Sequence, residues 1–309
     1  MTSTRRDLFR LGAAAAIVAG TATLAPSPAS AAPAVPGGFE RLRIRTRAGT
    51  FDALAAGPAD GRPVLLLHGF PESGLEWRHQ LTALAAAGFR AVAPDQRGYS
   101  PGVRPAPIDA YRLEHAVSDV RGIANTLGWN RFDLVGHDWG ACVAWIAAAR
   151  FPGRVRKLTA VSVPHPGAFA EALRSDPAQR DASRYMDGFR EPAPAPENRI
   201  LAAGPPKLDG VPREICEEYF ARLSEPGALT AALNWYRAND FTGYEQCVRV
   251  PTLFVAGDDP MVAPSGIRNT RRWVSGPYRL EQLSGVGHFI PETAPESVSR
   301  LLLEHLGPV

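Results

Sequence analysis

Gly136-His137-Asp138-Trp139-Gly140 stands between a short stretch read as a strand, Phe132 to Val135, and a stretch of helical spacing that begins at Trp139. These five residues have the frame G-x-S-x-G of a nucleophile elbow, with an aspartate in the serine position. A tight strand-to-helix turn lifts one side chain above the end of a sheet, and small flanking residues let the backbone pack closely. The helix N-terminus beyond it offers the positive end of its dipole to a carboxylate or a developing oxyanion. An aspartate near a helix start is also a common cap. The frame therefore draws its meaning from what surrounds it.

Upstream, Phe39 to Ala56 reads as two strands around a turn near Arg47-Ala48-Gly49. Val64-Leu65-Leu66-Leu67 and Arg90 to Ala93 are apolar runs that end abruptly, at His68-Gly69-Phe70-Pro71 and at Pro94-Asp95. Such runs suit strands buried on both faces of a parallel sheet. Tyr111 to Leu127 has helical periodicity and stops at Gly128, while Trp139 to Arg150 reads as a helix and Val155 to Val163 as a strand. This alternation predicts a doubly wound α/β sheet. It fails from His165 to Cys247, where charges, prolines (Pro192, Pro194, Pro196, Pro205, Pro206) and helical pieces such as Arg213 to Leu223 take over. Strands resume at Thr252 to Ala256 and near Tyr278 to Leu283, and a last helix runs from Pro295 to Leu306. Residues 165–247 are thus expected to form a helical cap inserted into a core made of 39–164 and 248–309. No internal repeat is visible.

The N-terminus reads as a targeting segment. Ser3-Thr4-Arg5-Arg6-Asp7-Leu8-Phe9 carries a twin arginine, an Ala-rich apolar run extends from Leu11 to Ala25, and Ala29-Ser30-Ala31 has the A-x-A cleavage pattern. A membrane anchor is the competing reading, but the run is short of the roughly 20 residues needed to span and is interrupted by Gly12, Gly20, Thr21 and Thr23. The expectation is a twin-arginine export signal over 1–31, a linker over 32–38, passage of the folded protein through the twin-arginine machinery, and no stable membrane anchor after cleavage near Ala31.

The 309 residues are 45% hydrophobic and 21% charged, enough for one large core carrying an insertion. Loss of Arg5, Arg6, Arg10 and Asp7 with the signal lowers the formal net charge from +3 to +1. With no basic stripe interleaved with aromatics, nucleic acid is not an expected partner. The three cysteines, Cys142, Cys216 and Cys247, have no metal-ligand spacing. Cys142 reads as buried packing, and a bridge between Cys216 and Cys247 is left open. No metal or organic cofactor is implied.

Partners for Asp138 follow in chain order. The loop at His68-Gly69-Phe70-Pro71-Glu72 suits an oxyanion hole, with backbone N–H groups from Phe70 and from Trp139, the residue after the nucleophile. His68 itself reads as a structural hydrogen-bonder. His288, in Gly285-Val286-Gly287-His288-Phe289, follows the last strand on a glycine-freed loop and is the candidate base. His79, His115, His137, His165 and His305 read as surface or packing residues. The acid that orients His288 should follow the preceding strand, where Gly257-Asp258-Asp259-Pro260 supplies Asp259, with Asp258 as the alternative.

These residues resemble the epoxide hydrolase branch of the α/β-hydrolase superfamily, over nearly all of the chain from Phe39 onwards. His68 to Ser73 with Glu76-Trp77-Arg78 is similar to that family's oxyanion loop, Asp95-Gln96-Arg97-Gly98-Tyr99-Ser100 to the loop after its next strand, and Gly136 to Gly140 to its elbow. The family usually spaces its acid as G-[DE]-x-D, one residue more than Gly257-Asp258-Asp259 provides. In the cap, Leu233-Asn234-Trp235-Tyr236-Arg237 looks like the segment carrying one ring-opening tyrosine, and Tyr185 falls where the family carries the other; Tyr219 and Tyr244 lie in the same region. The resemblance implies an α/β-hydrolase fold, a mostly parallel doubly wound sheet with an inserted helical cap. It also implies hydrolysis of a small epoxide with water.

The chemistry of the pattern agrees. A carboxylate attacking an sp³ carbon leaves an alkyl ester, which water activated by His288 can hydrolyse. A halide leaves without a proton, whereas an opening epoxide becomes a basic alkoxide and needs one. A phenol, with a pKa of about 10, is un-ionised at neutral pH and can give it. A dehalogenase using the same aspartate is the main alternative, with Trp139 as a halide donor; a ligand binder that has lost turnover is the second.

Overall fold

The computed structural model describes residues 38–309. The expected export signal, its cleavage site and the linker up to residue 37 lie outside the described residues.

Eight strands form one sheet in the order β1-β2-β4-β3-β5-β6-β7-β8. They are β1 (Glu40–Thr46), β2 (Gly49–Ala56), β3 (Arg62–Leu67), β4 (Phe89–Pro94), β5 (Phe132–His137), β6 (Val155–Val161), β7 (Thr252–Gly257) and β8 (Tyr278–Leu283). The first two make an antiparallel hairpin, β2 runs antiparallel to β4, and every later pairing is parallel. The central strands are buried on both faces: every residue of β5 and β7 is buried, including Asp133, which pairs with Arg62 at 2.8 Å, while the edge strand β8 is half-exposed and mixed.

Side-chain alternation sends successive strand residues to opposite faces. Leu65, Leu67 and Leu134 pack with α2 (Leu113–Thr126) and α3 (Trp139–Arg150), whereas Val64, Leu66 and Val135 pack with α1 (Arg78–Ala86) and the last helix, Pro295–Leu306. Six helices fill the chain between β6 and β7: α4 (Pro166–Ser175), α5 (Pro177–Ala182), α6 (Tyr185–Arg190), α7 (Ala195–Ala203), α8 (Arg213–Leu223) and α9 (Ala228–Ala238).

Several boundaries differ from the sequence reading by a few residues, β5 for one running on to His137, and two have a clear backbone cause. Tyr111 closes a separate 3₁₀ turn, and Arg112 is extended, so α2 starts at Leu113. The strand expected to reach Val163 ends at Val161, because Ser162 takes a positive φ of 64°. All three cysteines are free thiols; Cys142 and Cys216 are buried and Cys247 is exposed, so the bridge left open by the sequence is not formed. Among the described residues, no helix is long and apolar enough to cross a membrane.

Strand order reverses at β3, which lies between β4 and β5. Connections leaving β3 and β5 diverge and open a crevice at the C-terminal edge of the sheet. Leu67 pairs with Gly136, so the loop after β3 and the turn after β5 begin side by side.

Candidate active site

Asp138 occupies the turn between β5 and α3 with φ 50°, a left-handed conformation that a non-glycine residue rarely adopts. The two glycines of the frame have steric reasons. A side-chain carbon on Gly136 would strike the Gly140 carbonyl, and one on Gly140 would strike the carbonyls of Leu67 and His68. A carbon on Gly69 would run into the Asp138 side chain itself. Backbone from β3, β5 and α3 thus closes tightly around one carboxylate.

The Phe70 N–H donates to Asp138 Oδ1 at 2.9 Å. The Trp139 N–H is at the first position of α3, where helical bonding leaves N–H groups free. His68 stands behind this loop rather than in it. Its Nε2 accepts the Gln96 N–H at 2.9 Å, which leaves Nδ1 to donate to the Gly69 carbonyl at 2.8 Å, and burial pushes its pKa down.

His288 follows β8, and its ring spans two carboxylates. Nδ1 lies 2.6 Å from Asp259 Oδ2, and Nε2 lies 3.5 Å from Asp138 Oδ2. Asp259 is buried and its other oxygen accepts the Met261 N–H at 2.8 Å. Asp258 is exposed and instead accepts the Gly285 N–H. Burial works against the imidazolium, but the Asp259 charge and the hydrogen bonds to Asp138 and Asp259 outweigh it and raise the His288 pKa to about 9. For Asp138, burial alone would raise the carboxyl; the His288 hydrogen bond and charge, the His137 charge and the Phe70 N–H prevail and hold it below the usual range.

Across a small enclosed cavity from the carboxylate stand two phenols. Tyr185 is the first residue of α6 and Tyr236 lies in α9; their rings are 6.3 Å apart, and both line the cavity together with Asp138 and His288. Tyr236 is also set edge-on against Phe70 at 5.6 Å and Trp139 at 5.1 Å. Burial first, and then the Asp138 charge, raise both phenols well above the ordinary tyrosine value. Tyr219 and Tyr244 point elsewhere, donating to Glu292 and Glu114. The remaining walls are apolar: Val163, Phe169, Met186, Phe241 and Val262.

His137 departs from the sequence reading. It is not an ordinary surface or packing side chain but the centre of a buried polar cluster beneath the site. Nε2 faces the His288 carbonyl at 2.9 Å, and Nδ1 faces Glu72 Oε2 at 3.1 Å and Glu76 Oε1 at 3.0 Å. A carbonyl only accepts, so Nε2 carries a proton and Nδ1 meets the acidic pair. Burial disfavours the charged ring, but Glu76 and Glu72 outweigh it and raise the His137 pKa well above normal. The Glu72 carboxyl is pushed up by burial and by Glu76. Glu76 Oε2 also accepts the Gly69 N–H at 3.1 Å, so the cluster ties the oxyanion loop to the His288 loop. These three side chains are close enough to serve as metal ligands, yet both ring nitrogens of His137 already have partners. A histidine directly before the nucleophile, at the end of a fully buried strand, was the available signal.

A family pattern described as alpha/beta hydrolase fold matches residues 62–295. Epoxide hydrolase A of Mycobacterium tuberculosis is 34% identical, over 86% of this chain and 97% of its own length. Epoxide hydrolase 3 of Xenopus tropicalis is 31% identical, over 86% of this chain and 77% of its own. Among solved structures, one of a set of epoxide hydrolases from hot-environment metagenomes has a TM-score of 0.79 at 29% identity, covering 87% of this chain and 99% of that one. Epoxide hydrolase A of Mycobacterium thermoresistibile has a TM-score of 0.69 at 28% identity, covering 87% and 98%.

Proposed function

The chain belongs to the epoxide hydrolase branch of the α/β-hydrolase superfamily, and on that premise we propose that Asp138 opens the epoxide through a covalent ester. It is a hydrolase acting on epoxides. The observation that carries the proposed mechanism is the setting of one carboxylate: Oδ1 held by the Phe70 N–H, Oδ2 towards His288, and two phenols across the cavity.

Asp138 Oδ2 attacks a ring carbon, the carbon–oxygen bond of the epoxide breaks, and the alkoxide takes a proton from Tyr236 or Tyr185. Burial suits both phenols to this role, because it keeps them protonated until a strong base forms beside them. Water then adds to the Asp138 carboxyl carbon and gives a proton to His288 Nε2. The oxyanion forms on Oδ1, where the N–H groups of Phe70 and Trp139 stabilise it. Collapse expels the second alcohol oxygen of the diol, which takes the proton from His288. The proton left on the regenerated carboxyl returns through solvent to the tyrosinate. Asp259 holds the ring with Nε2 towards the site and stabilises the imidazolium.

The test separates epoxide from halide chemistry. Tyr185→Phe with Tyr236→Phe is expected to abolish diol formation while leaving Asp138 in place. Diol formation that survives both changes, together with lost halide release from alkyl halides, would point to dehalogenation instead. We further propose that the chain reaches its place of action by twin-arginine export, a reading supported by Arg5-Arg6, the apolar run and Ala29-Ser30-Ala31.

A further inference from the structure

Gln179, on α5, reaches out of the cap to the loop that carries the acid. Its side chain is fully buried and every polar group on it is used. Oε1 accepts the Ala263 N–H at 2.8 Å, while Nε2 donates to the Met261 carbonyl at 2.9 Å and to Ser183 Oγ at 2.9 Å. The amide orientation follows from its partners, because Ala263 N–H only donates and the Met261 carbonyl only accepts.

Those partners are not generic backbone. Met261 N–H donates to Asp259 Oδ1, and Asp259 Oδ2 holds His288 Nδ1. On the other side, the Ser183 carbonyl accepts the Met186 N–H at 3.0 Å and so opens the turn of α6 that presents Tyr185. One amide therefore bridges the acid end of the hydrolysing machinery and the start of the helix that holds a proton donor. Nearby, Ser265 Oγ donates to Asp176 Oδ2 at 2.5 Å, joining the start of α5 to the helix that follows the acid loop.

We propose that Gln179 is a positioning residue that sets the Asp259 loop and the Tyr185 helix in register with each other. This inference rests on the reading of Asp138, His288, Asp259 and Tyr185 given above. Gln179 touches no reacting atom. Its effect passes through hydrogen bonds that a side chain of equal length without polar atoms cannot make.

The reaction has two steps that use the two sides of this bridge. Ring opening uses Tyr185, and ester hydrolysis uses Asp259 through His288. In single-turnover experiments on the full enzyme with styrene oxide, Gln179→Met is expected to slow both steps by about tenfold or more, since small displacements of catalytic groups carry large rate effects. KM should change little. Gln179→Glu keeps the acceptor for Ala263 but loses the donor to Met261 and sets a carboxyl oxygen against that carbonyl, so both of its rates should also fall below the wild type. Arg104→Met, which removes a cap-to-core contact to Glu225 and Pro226 on another side of the cap together with bonds to the Gly98 and Tyr99 carbonyls, is expected to lower thermal stability while leaving both rate constants within about twofold of the wild type, the small change expected where no catalytic group is displaced. If Gln179→Met does not fold, Gln179→Glu carries the comparison. Both Gln179 variants running both steps at wild-type rates overturns this inference alone. A wild-type enzyme that forms no ester on the Asp138 peptide overturns it together with the reading of the site.

Discussion

On the proposed mechanism His288 changes its surroundings during turnover, and its acidity should change with them. In the resting enzyme it sits between two carboxylates, Asp138 and Asp259, with a pKa raised to about 9, above the ordinary 6.5. The ring is then an imidazolium below that pH and cannot act as a base. Esterification removes the negative charge of Asp138, and with it one of the interactions that favour the imidazolium; burial and the His137 charge, which work the other way, remain. On that mechanism the His288 pKa falls when the ester forms, and the ring releases its proton to solvent, becomes a base for the hydrolytic step, and takes a proton back when Asp138 is ionised again. Hydrolysis of the ester should rise with pH along a limb whose midpoint lies below 9, measured by single-turnover decay of the intermediate. A midpoint at or above 9 would mean that Asp138 does not control His288. At this scale the sequence pointed to Asp138 and His288 through local motifs and to the two tyrosines through the family resemblance, and the structure brings the four side chains to one cavity. The sequence could not yield the Glu72–Glu76–His137 cluster or Gln179. The contacts of His137 with Glu72 and Glu76 and of Gln179 with Met261 and Ala263 span 61 to 84 residues of chain, and such meetings are created by the sheet order rather than by any local pattern.

The elbow binds the elements together because strand, turn and helix approach one another closely there. Gly140→Ala would push a methyl group into the carbonyl oxygens of Leu67 and His68, which belong to β3 and the loop after it and cannot step aside independently. The expected cost is about 2 kcal/mol, typical of overpacking a rigid site, measured by urea denaturation, with activity lost alongside as the oxyanion loop shifts. A variant as stable and active as the wild type would show that the close approach is unnecessary. Most elements were legible for a matching reason. Val64 to Leu67 in β3 and Leu253 to Ala256 in β7 are continuous apolar runs, and α3, α8 and the last helix begin and end where periodicity, proline and glycine place them. The α4–α7 part of the cap was less legible, because its helices are short and separated by prolines and polar residues. Their packing onto the core, as with Gln179, decides their position more than their own periodicity does.

The whole molecule is a sheet edge roofed by helices from one long insertion. Several contacts hold the roof down: Arg222 to Asp95 at 2.7 Å, Tyr219 to Glu292 at 2.5 Å, and the Trp235 indole to the Arg97 carbonyl at 3.0 Å. All three cysteines are thiols. Export of the folded chain is proposed from the N-terminal sequence alone. Replacing Arg5 and Arg6 by lysine should leave the protein inside the cell at full length, whereas the wild-type protein recovered outside should begin at Ala32, as read by N-terminal sequencing. Export of the lysine variant at the wild-type level would refute the twin-arginine assignment. The central claim remains the covalent role of Asp138, and it is open to a direct measurement. In His288→Ala, ring opening proceeds but the base for hydrolysis is gone, so incubation with styrene oxide followed by peptide mass spectrometry should find the substrate's mass added to the peptide containing Asp138. An adduct on any other peptide, or continued diol formation with no adduct, would contradict the account.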